Sequence, residues 1–216
     1  MSGKPKVTIV DYEVGNLLSV VNALNKCGAE SELTCDPKKI KEADYLILPG
    51  VGAFKEGMKA LKKKSLIEPI MDFSETNRPF LGICLGMQLM FDLSFEHGEY
   101  SGLGLISGEV RPIPKKSANG NIHKIPHIGW SKLIPPKLNF NWDNSILDKI
   151  DYYDSVYFVH SYAAFPKKDD STLAYCDYNG IHLTSVVRNG NLYGCQFHPE
   201  RSGPVGLKII KSFCFA

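Results

Sequence analysis

The sequence carries no excess of charge of either sign, no paired cysteine motif and no long apolar run. Its 25 Lys and Arg residues stand against 23 Asp and Glu, a formal net charge of +2 over 216 residues. That balance is spread along the chain and leaves no basic stripe of the kind nucleic acid requires. The densest basic run, Lys62-Lys63-Lys64, reads as a solvated helix end. None of the six cysteines (Cys27, Cys35, Cys84, Cys176, Cys195, Cys214) forms a Cys-x-x-Cys pair. No Cys/His cluster has zinc-ligand spacing either, so no metal site is expected. A chain of this size needs no disulfide staples. It opens with the polar stretch Met1–Lys6, and the apolar Val7–Val10 is far shorter than an export signal or a membrane span. The expectation is a reduced, cytoplasmic setting with no membrane partner. Internal repeats and low-complexity tracts are absent. So are the Gly-x-Gly-x-x-Gly and Gly-Lys-Ser/Thr spacings that cradle phosphates, and no cofactor is expected.

What is present is a hydrophobic fraction of 44%, enough to bury a full core. The length predicts a single domain over residues 1–216. Short apolar runs alternate with helical patterns in the first half. Val7–Val10 reads as a strand, and Leu17, Val20, Val21 and Leu24 place a helix over Asn16 to Lys26, with Gly28 capping its end. Ser31–Thr34 reads as a strand and Pro37–Ala43 as a short helix. Tyr45–Leu48 is again a strand, followed by helices over Phe54–Lys63 and Leu66–Phe73. Pro79–Ile83 is strand-like, and Met87–Phe95 is predicted to be an amphipathic helix. This alternation predicts an α/β fold with a mostly parallel central sheet flanked by helices. In the second half, Asn179-Gly180 and Asn189-Gly190 separate β-rich runs. They predict an antiparallel meander of Tyr175–Tyr178, Ile181–Arg188 and Leu192–Phe197. Gly206–Phe213 closes the chain as a helix, and Ser117–Gly120 reads as a surface loop.

The chemistry centres on Gly82-Ile-Cys-Leu-Gly86, lying between an apolar strand and a helix. In that context a Gly-x-nucleophile-x-Gly turn is a nucleophile elbow, and the glycines are needed because the sharp turn leaves no room for side chains. Cys84 is the candidate nucleophile. Its base is His198 in His198-Pro-Glu200, where Glu200, two residues on, can reach the ring and fix its tautomer. His160, at the end of another apolar run, is the rival base but lacks a carboxylate at that offset. Acyl transfer also needs donors for the developing oxyanion. The glycine-rich turn Pro49-Gly-Val-Gly52 offers the N–H groups of Val51 and Gly52, and the N–H of Leu85 follows the nucleophile.

At these residues the sequence resembles the class I, or triad, glutamine amidotransferases. Gly82-Ile-Cys-Leu-Gly-Met-Gln88 and His198-Pro-Glu200 resemble their catalytic signature. Asp11-Tyr-x-x-Gly-Asn-Leu-x-Ser-Val20, Leu48-Pro-Gly-Val-Gly-Ala-Phe54, Ile125-Pro-His-Ile-Gly-Trp130 and Gln196-Phe-His-Pro-Glu-Arg-Ser202 are similar to the glutaminase subunits of imidazole glycerol phosphate synthases. The resemblance implies a flavodoxin-like fold and the hydrolysis of L-glutamine to glutamate and ammonia. It implies Cys84 as nucleophile, His198 as base and then acid, and Glu200 as its orienting carboxylate. Gln88 and Glu96 match positions that hold the substrate's backbone groups, and Gly52, Ser161 and Tyr162 match positions lining the pocket or oxyanion loop. It further implies a heterodimer with a (β/α)8-barrel synthase, which uses the ammonia in the histidine pathway. Weak activity of the free chain is expected, because a glycine-flanked loop can turn its N–H groups away until a partner binds. Ser131 and Arg201 depart from the pattern, standing where Asn and Lys are expected on the face toward the partner. A switch to a paralogous synthase for surface-sugar amidation would change that face.

Two other readings fit parts of the pattern. A cysteine peptidase of the same α/β type would need an extended cleft, whereas Gln88 and Glu96 suggest a small polar pocket. A non-catalytic scaffold would not be expected to retain all three triad residues.

Overall fold

The computed structural model describes residues 3–215. In chain order it runs β1 (Lys6–Val10), α1 (Leu17–Lys26), β2 (Glu30–Thr34), α2 (Pro37–Lys41), β3 (Tyr45–Leu48), α3 (Phe54–Lys63), α4 (Ile67–Ser74) and β4 (Phe80–Ile83). Then follow α5 (Leu85–Leu89), β5 (Phe91–Ser94), β6 (Tyr100–Ser101), β7 (Ile106–Pro112), β8 (His127–Lys132), β9 (Ser155–His160) and β10 (Tyr162–Pro166). The chain ends with β11 (Thr172–Tyr178), β12 (Ile181–Asn189), β13 (Leu192–Cys195), a 3-10 turn at Pro199–Arg201 and α6 (Gly203–Cys214). Among the described residues no helix is long and apolar enough to cross a membrane.

Seven strands form the main sheet in the order β11-β12-β13-β4-β3-β1-β2. From β13 to β2 every pairing is parallel, while β11, β12 and β13 are antiparallel, so the predicted meander is one flank of the central sheet. The parallel strands are apolar on both sides because both faces are covered. Val7, Ile9, Ile47, Leu81 and Ile83 pack toward the side of α1 and α6, against Val20, Leu24, Ile209 and Phe213. Val10, Leu46, Leu48 and Phe80 pack on the other side against Ile40, Leu61, Ile70 and Phe73 of α2, α3 and α4. Helix α1 ends where Gly28 was expected to cap it. Gly28 takes φ +84°, its N–H donates to Asn25 O, and the Ala29 N–H donates to Leu24 O at 3.1 Å, a Schellman closure.

The predicted helix over Met87–Phe95 is corrected. Helix ends at Leu89, and residues 91–94 form strand β5, paired in parallel with β7 and antiparallel with β6. Residues 85–91 are buried without a polar face, so their apolar pattern carries no one-sided helical signal. The carbonyls of Leu89, Met90 and Phe91 accept instead from Leu103, Leu105, Ile106 and Gly104, which draws the chain into a second sheet ordered β10-β7-β5-β6. That sheet and the antiparallel β8–β9 pair were not predicted as units, because β7 and β10, like β8 and β9, are separated by long stretches of chain. Lys62 and Lys63 close α3 in solvent, and Lys64 beyond them pairs with Glu13 at 3.0 Å.

Candidate active site

The parallel pairing of β4 with β13 aligns Ile83 with Cys195, and the Cys84 N–H donates to Cys195 O at 2.7 Å. The two chain segments that leave these strands are therefore neighbours: the elbow at Cys84 and the run Gln196–Glu200. Cys84 sits at φ +53° and ψ −108°, a conformation that costs a non-glycine residue on the order of 1–3 kcal/mol and that the surroundings must impose. Those surroundings explain the flanking glycines. A Cβ on Gly82 would lie 2.8 Å from Met87 Cα, and one on Gly86 would lie 1.8 Å from Leu48 O.

His198 and Glu200 meet as expected, Nδ1 to Oε1 at 2.8 Å, both side chains almost wholly buried. The local backbone differs from the extended one expected. His198 is extended, but Pro199–Arg201 is a 3-10 turn, which folds the carboxylate back over the ring. Ser202 Oγ donates to His198 O at 2.7 Å and fixes that turn. Nε2 of His198 has no hydrogen-bond partner of good geometry among the described residues, although the Cys84 thiol is close enough to act on the ring. Burial opposes charge on the imidazole, but the Cys84 thiol and the Glu200 carboxylate outweigh it and raise its pKa to about 10. By contrast, burial pushes the thiols of Cys176, Cys195 and Cys214 up, which makes them poor nucleophiles.

A cavity of about 280 Å³ opens over the sulfur. Cys84, Leu85, Gln88 and His198 form part of its wall, as do Val51, Gly52, Glu96, Ser161 and Tyr162. Of the expected site residues, Glu200 alone stands behind this wall, in contact with the base. Glu96 Oε2 accepts from the Phe54 N–H at 2.5 Å, which anchors its carboxylate at the start of α3. In the Pro49–Gly52 loop and at its neighbour Leu85, one of the candidate oxyanion donors is already occupied. Leu85 N–H donates to Gly50 O at 3.3 Å, and Val51 and Gly52 N–H groups donate to no protein acceptor among the described residues.

Three further residues belong to the site and were not singled out from sequence. Tyr12 is fully buried, and its hydroxyl donates to Pro49 O at 2.6 Å, pinning the start of the oxyanion loop. Gln196, also fully buried, places its amide nitrogen 3.9 Å from the Cys84 sulfur. His127 is buried between the rings of Phe158 and Tyr178 and bonds His160. Tyr12 and Gln196 each lie within a segment quoted above, but nothing local distinguishes a polar side chain that bonds a loop from one that faces solvent.

His160 is removed as a rival base. Its Nδ1 bonds Tyr162 O at 2.8 Å and its Nε2 bonds His127 Nδ1 at 3.1 Å, so neither nitrogen is free. Burial depresses its pKa to about 3 and that of His127 to about 4, so both rings are neutral at pH 7. Ser131, expected on the face toward the partner, is half-buried on β8. It shares the inward parity of His127 on β8 and its Oγ lies 2.9 Å from His127 Nε2, while Ile128 and Trp130 point into solvent. Arg201 is exposed and lies over the Tyr157 ring.

A nucleophilic sulfur, an acid-backed imidazole and a small polar cavity can together run acyl transfer through a thioester. Comparison with known proteins agrees. The family model described as glutamine amidotransferase class-I matches residues 8–216. Imidazole glycerol phosphate synthase subunit HisH 1 of Legionella pneumophila is 50% identical over 207 residues, covering 96% of this chain and 97% of that protein. The HisH subunit of Carboxydothermus hydrogenoformans is 48% identical over 206 residues, covering 94% and 96%. The fold matches that in a structure of PurLQS from Thermotoga maritima, with a TM-score of 0.69 at 22% identity over 98% of each chain. It also matches a glutamine amidotransferase of the same organism, with a TM-score of 0.58 at 19% identity over 92% and 77%. The chain belongs to the class I glutamine amidotransferase family.

Proposed function

We propose that the whole chain acts as one amidotransferase domain, the glutaminase subunit of an imidazole glycerol phosphate synthase. It hydrolyses L-glutamine and passes ammonia to a (β/α)8-barrel synthase subunit of the histidine pathway. The observation that carries the chemistry is Cys84 on its elbow, facing a pocket that also holds the acid-backed His198. The Cys84 thiolate attacks the side-chain amide carbon of glutamine, forming the C–S bond and an oxyanion. Collapse of that intermediate breaks the C–N bond, and the His198 imidazolium supplies the proton with which ammonia leaves. Water, deprotonated by His198 Nε2, then attacks the γ-glutamyl thioester. The C–S bond breaks, and glutamate and the thiolate are released. Glu200 keeps the ring in the correct tautomer throughout and offsets its positive charge. Gln88 and Glu96 bind the polar groups of the substrate's α-carbon, and Ser161 and Tyr162 complete the pocket.

Oxyanion stabilisation falls to Leu85 and Val51. In the conformation described, Gly50 O occupies the Leu85 N–H. A rotation of the Gly50–Val51 peptide frees that donor and turns the Val51 N–H toward the same region. Glycines at 50 and 52 tolerate the new dihedrals. Partner docking supplies the bias, which couples ammonia release to the presence of a synthase. The exposed Ile128 and Trp130 of β8, just beyond the pocket-lining Pro126, offer an apolar face for that partner.

The names of the HisH relatives favour this pathway over surface-sugar amidation. The test is glutaminase assay of purified Cys84→Ala with the barrel subunit present. Retained ammonia release would remove the proposal. Co-purification of the chain with a histidine-pathway barrel identifies the partner, and capture of a different synthase would reassign the pathway.

A further inference from the structure

The amide side chain of Gln196 has a polarity that its neighbours dictate. Gln88 bonds Tyr162 O at 3.1 Å and Gln196 at 3.0 Å through one terminal atom. Tyr162 O is a backbone carbonyl and can only accept, so the atom of Gln88 facing it is the NH2 group. Both protons of that group are then committed, one to Tyr162 O and one to Gln196. The Gln196 atom receiving the second proton must be its oxygen. Its own NH2 is therefore the end that lies 3.9 Å from the Cys84 sulfur. The Tyr162 carbonyl is held from the other side by a second directional chain. His160 Nδ1 carries a proton to reach that carbonyl, which leaves Nε2 as the acceptor for His127 Nδ1–H, and His127 Nε2 as the acceptor for the Ser131 hydroxyl. Every donor in the series has one direction available to it.

We propose that Gln196 presents a fixed N–H donor to the Cys84 sulfur and is a further catalytic residue, with Gln88 and the Tyr162 carbonyl setting the direction of its amide. A donor aimed at the sulfur favours thiolate over thiol, since hydrogen bonding to the charged form of a group stabilises that form. It also receives the sulfur each time the thioester breaks and the thiolate leaves. Gln196 is fully buried, so solvent does not compete for its protons, and a neutral amide adds no charge that would trap the sulfur as an inert ion pair. Gln88 thus has a part in setting the sulfur's reactivity without touching it.

The proposal rests on Cys84 as the nucleophile, and its test needs no glutamine turnover. The rate of Cys84 alkylation by iodoacetamide is followed against pH in the full chain, with the alkylated residue verified by peptide mass. Gln196→Met and Gln88→Met are each expected to displace the profile to higher pH, lowering the rate at pH 7 by about threefold or more. The plateau rate at high pH should stay within about twofold of the parent, because the thiolate's access is unchanged. A Gln196→Met profile that superposes on the parent, or one whose plateau falls as far as its value at pH 7, would overturn the donor role. A displaced Gln196→Met with an undisplaced Gln88→Met overturns the imposed direction. If Gln196→Met does not fold, Gln196→Leu, likewise neutral and without a donor, must show the displacement or the proposal fails. A parent chain that lacks glutaminase activity with its partner, while the variants still shift the alkylation profile, would sink the proposed function and leave this inference standing.

Discussion

The amide N–H of Leu85 donates to the carbonyl oxygen of Gly50 at 3.3 Å, in the region where the proposed mechanism would set its oxyanion. A carbonyl in that position repels the developing negative charge, and the donor it occupies is lost to catalysis. Loss of a single oxyanion donor costs on the order of 10²- to 10³-fold in rate. The free chain is therefore expected to turn over glutamine at least about 100-fold more slowly than the chain with its synthase subunit. Steady-state ammonia release with and without the partner checks this, and equal rates would mean that the loop needs no rearrangement.

Glu200 reaches His198 Nδ1 at 2.8 Å with both groups buried. Glu200→Gln keeps the shape but offers no carboxylate to the ring, and its amide can select the wrong tautomer. The expected loss in kcat is roughly 10²- to 10⁴-fold with KM little changed, because the carboxylate lies behind the pocket wall. A glutaminase assay with the synthase present measures both constants. A rise in KM alone would place Glu200 in substrate binding instead.

Gly86 packs so closely against the end of β3 that a methyl group there would meet Leu48 O at 1.8 Å. Gly86→Ala must push the elbow away from the sheet, an overpacking strain of about 1–3 kcal/mol. Thermal unfolding followed by circular dichroism is expected to show a lower midpoint, together with lost activity. An unchanged midpoint would show that α5 and β3 can separate freely.

Stability should fall on both sides of neutrality, for opposite reasons. Burial holds His160 and His127 neutral, with pKa values near 3 and 4 against an ordinary 6.5. As pH drops from about 6.5 through those values, the unfolded chain binds protons that the folded chain refuses, so unfolding becomes easier. His198 is the reverse case, raised to about 10, so its contribution is present below pH 6.5 and is lost as pH rises toward 10. Urea unfolding at pH 4.5, 6.5 and 9 at constant ionic strength checks both limbs. His198→Ala should flatten the alkaline limb and leave the acid one.

Much of this molecule was legible along the chain because periodicity and punctuation are local. The strands Val7–Val10 and Tyr45–Leu48, the Gly28 cap, the Asn-Gly turns and the glycine-bracketed Cys84 each depend on neighbours within a few residues. The helix expected over Met87–Phe95 failed for the converse reason. Residues 85–91 are buried on every side, and whether the carbonyls of Leu89, Met90 and Phe91 close a helix or join a strand depends on residues 103–106. The His198–Glu200 contact was anticipated from an offset of two, yet it is made by a 3-10 turn fixed by Ser202.

What the sequence by itself determined was the residue types the chemistry needs and the elements that carry them. It determined a nucleophile between glycines, an imidazole with its acid, and a glycine loop after a strand. Only the tertiary structure decided how they combine. The parallel register of β4 and β13 sets Cys84 beside the Gln196–Glu200 run, and chain direction alone gives no value for such a register. The structure likewise decided that Leu85 is occupied by Gly50, that His160 is spent on Tyr162 and His127, and that Gln196 faces the sulfur with its donor end. Hydrogen bonds between distant side chains depend on angles and separations of tenths of an ångström, which are set when the sheets close on one another and are not written in any single stretch of chain.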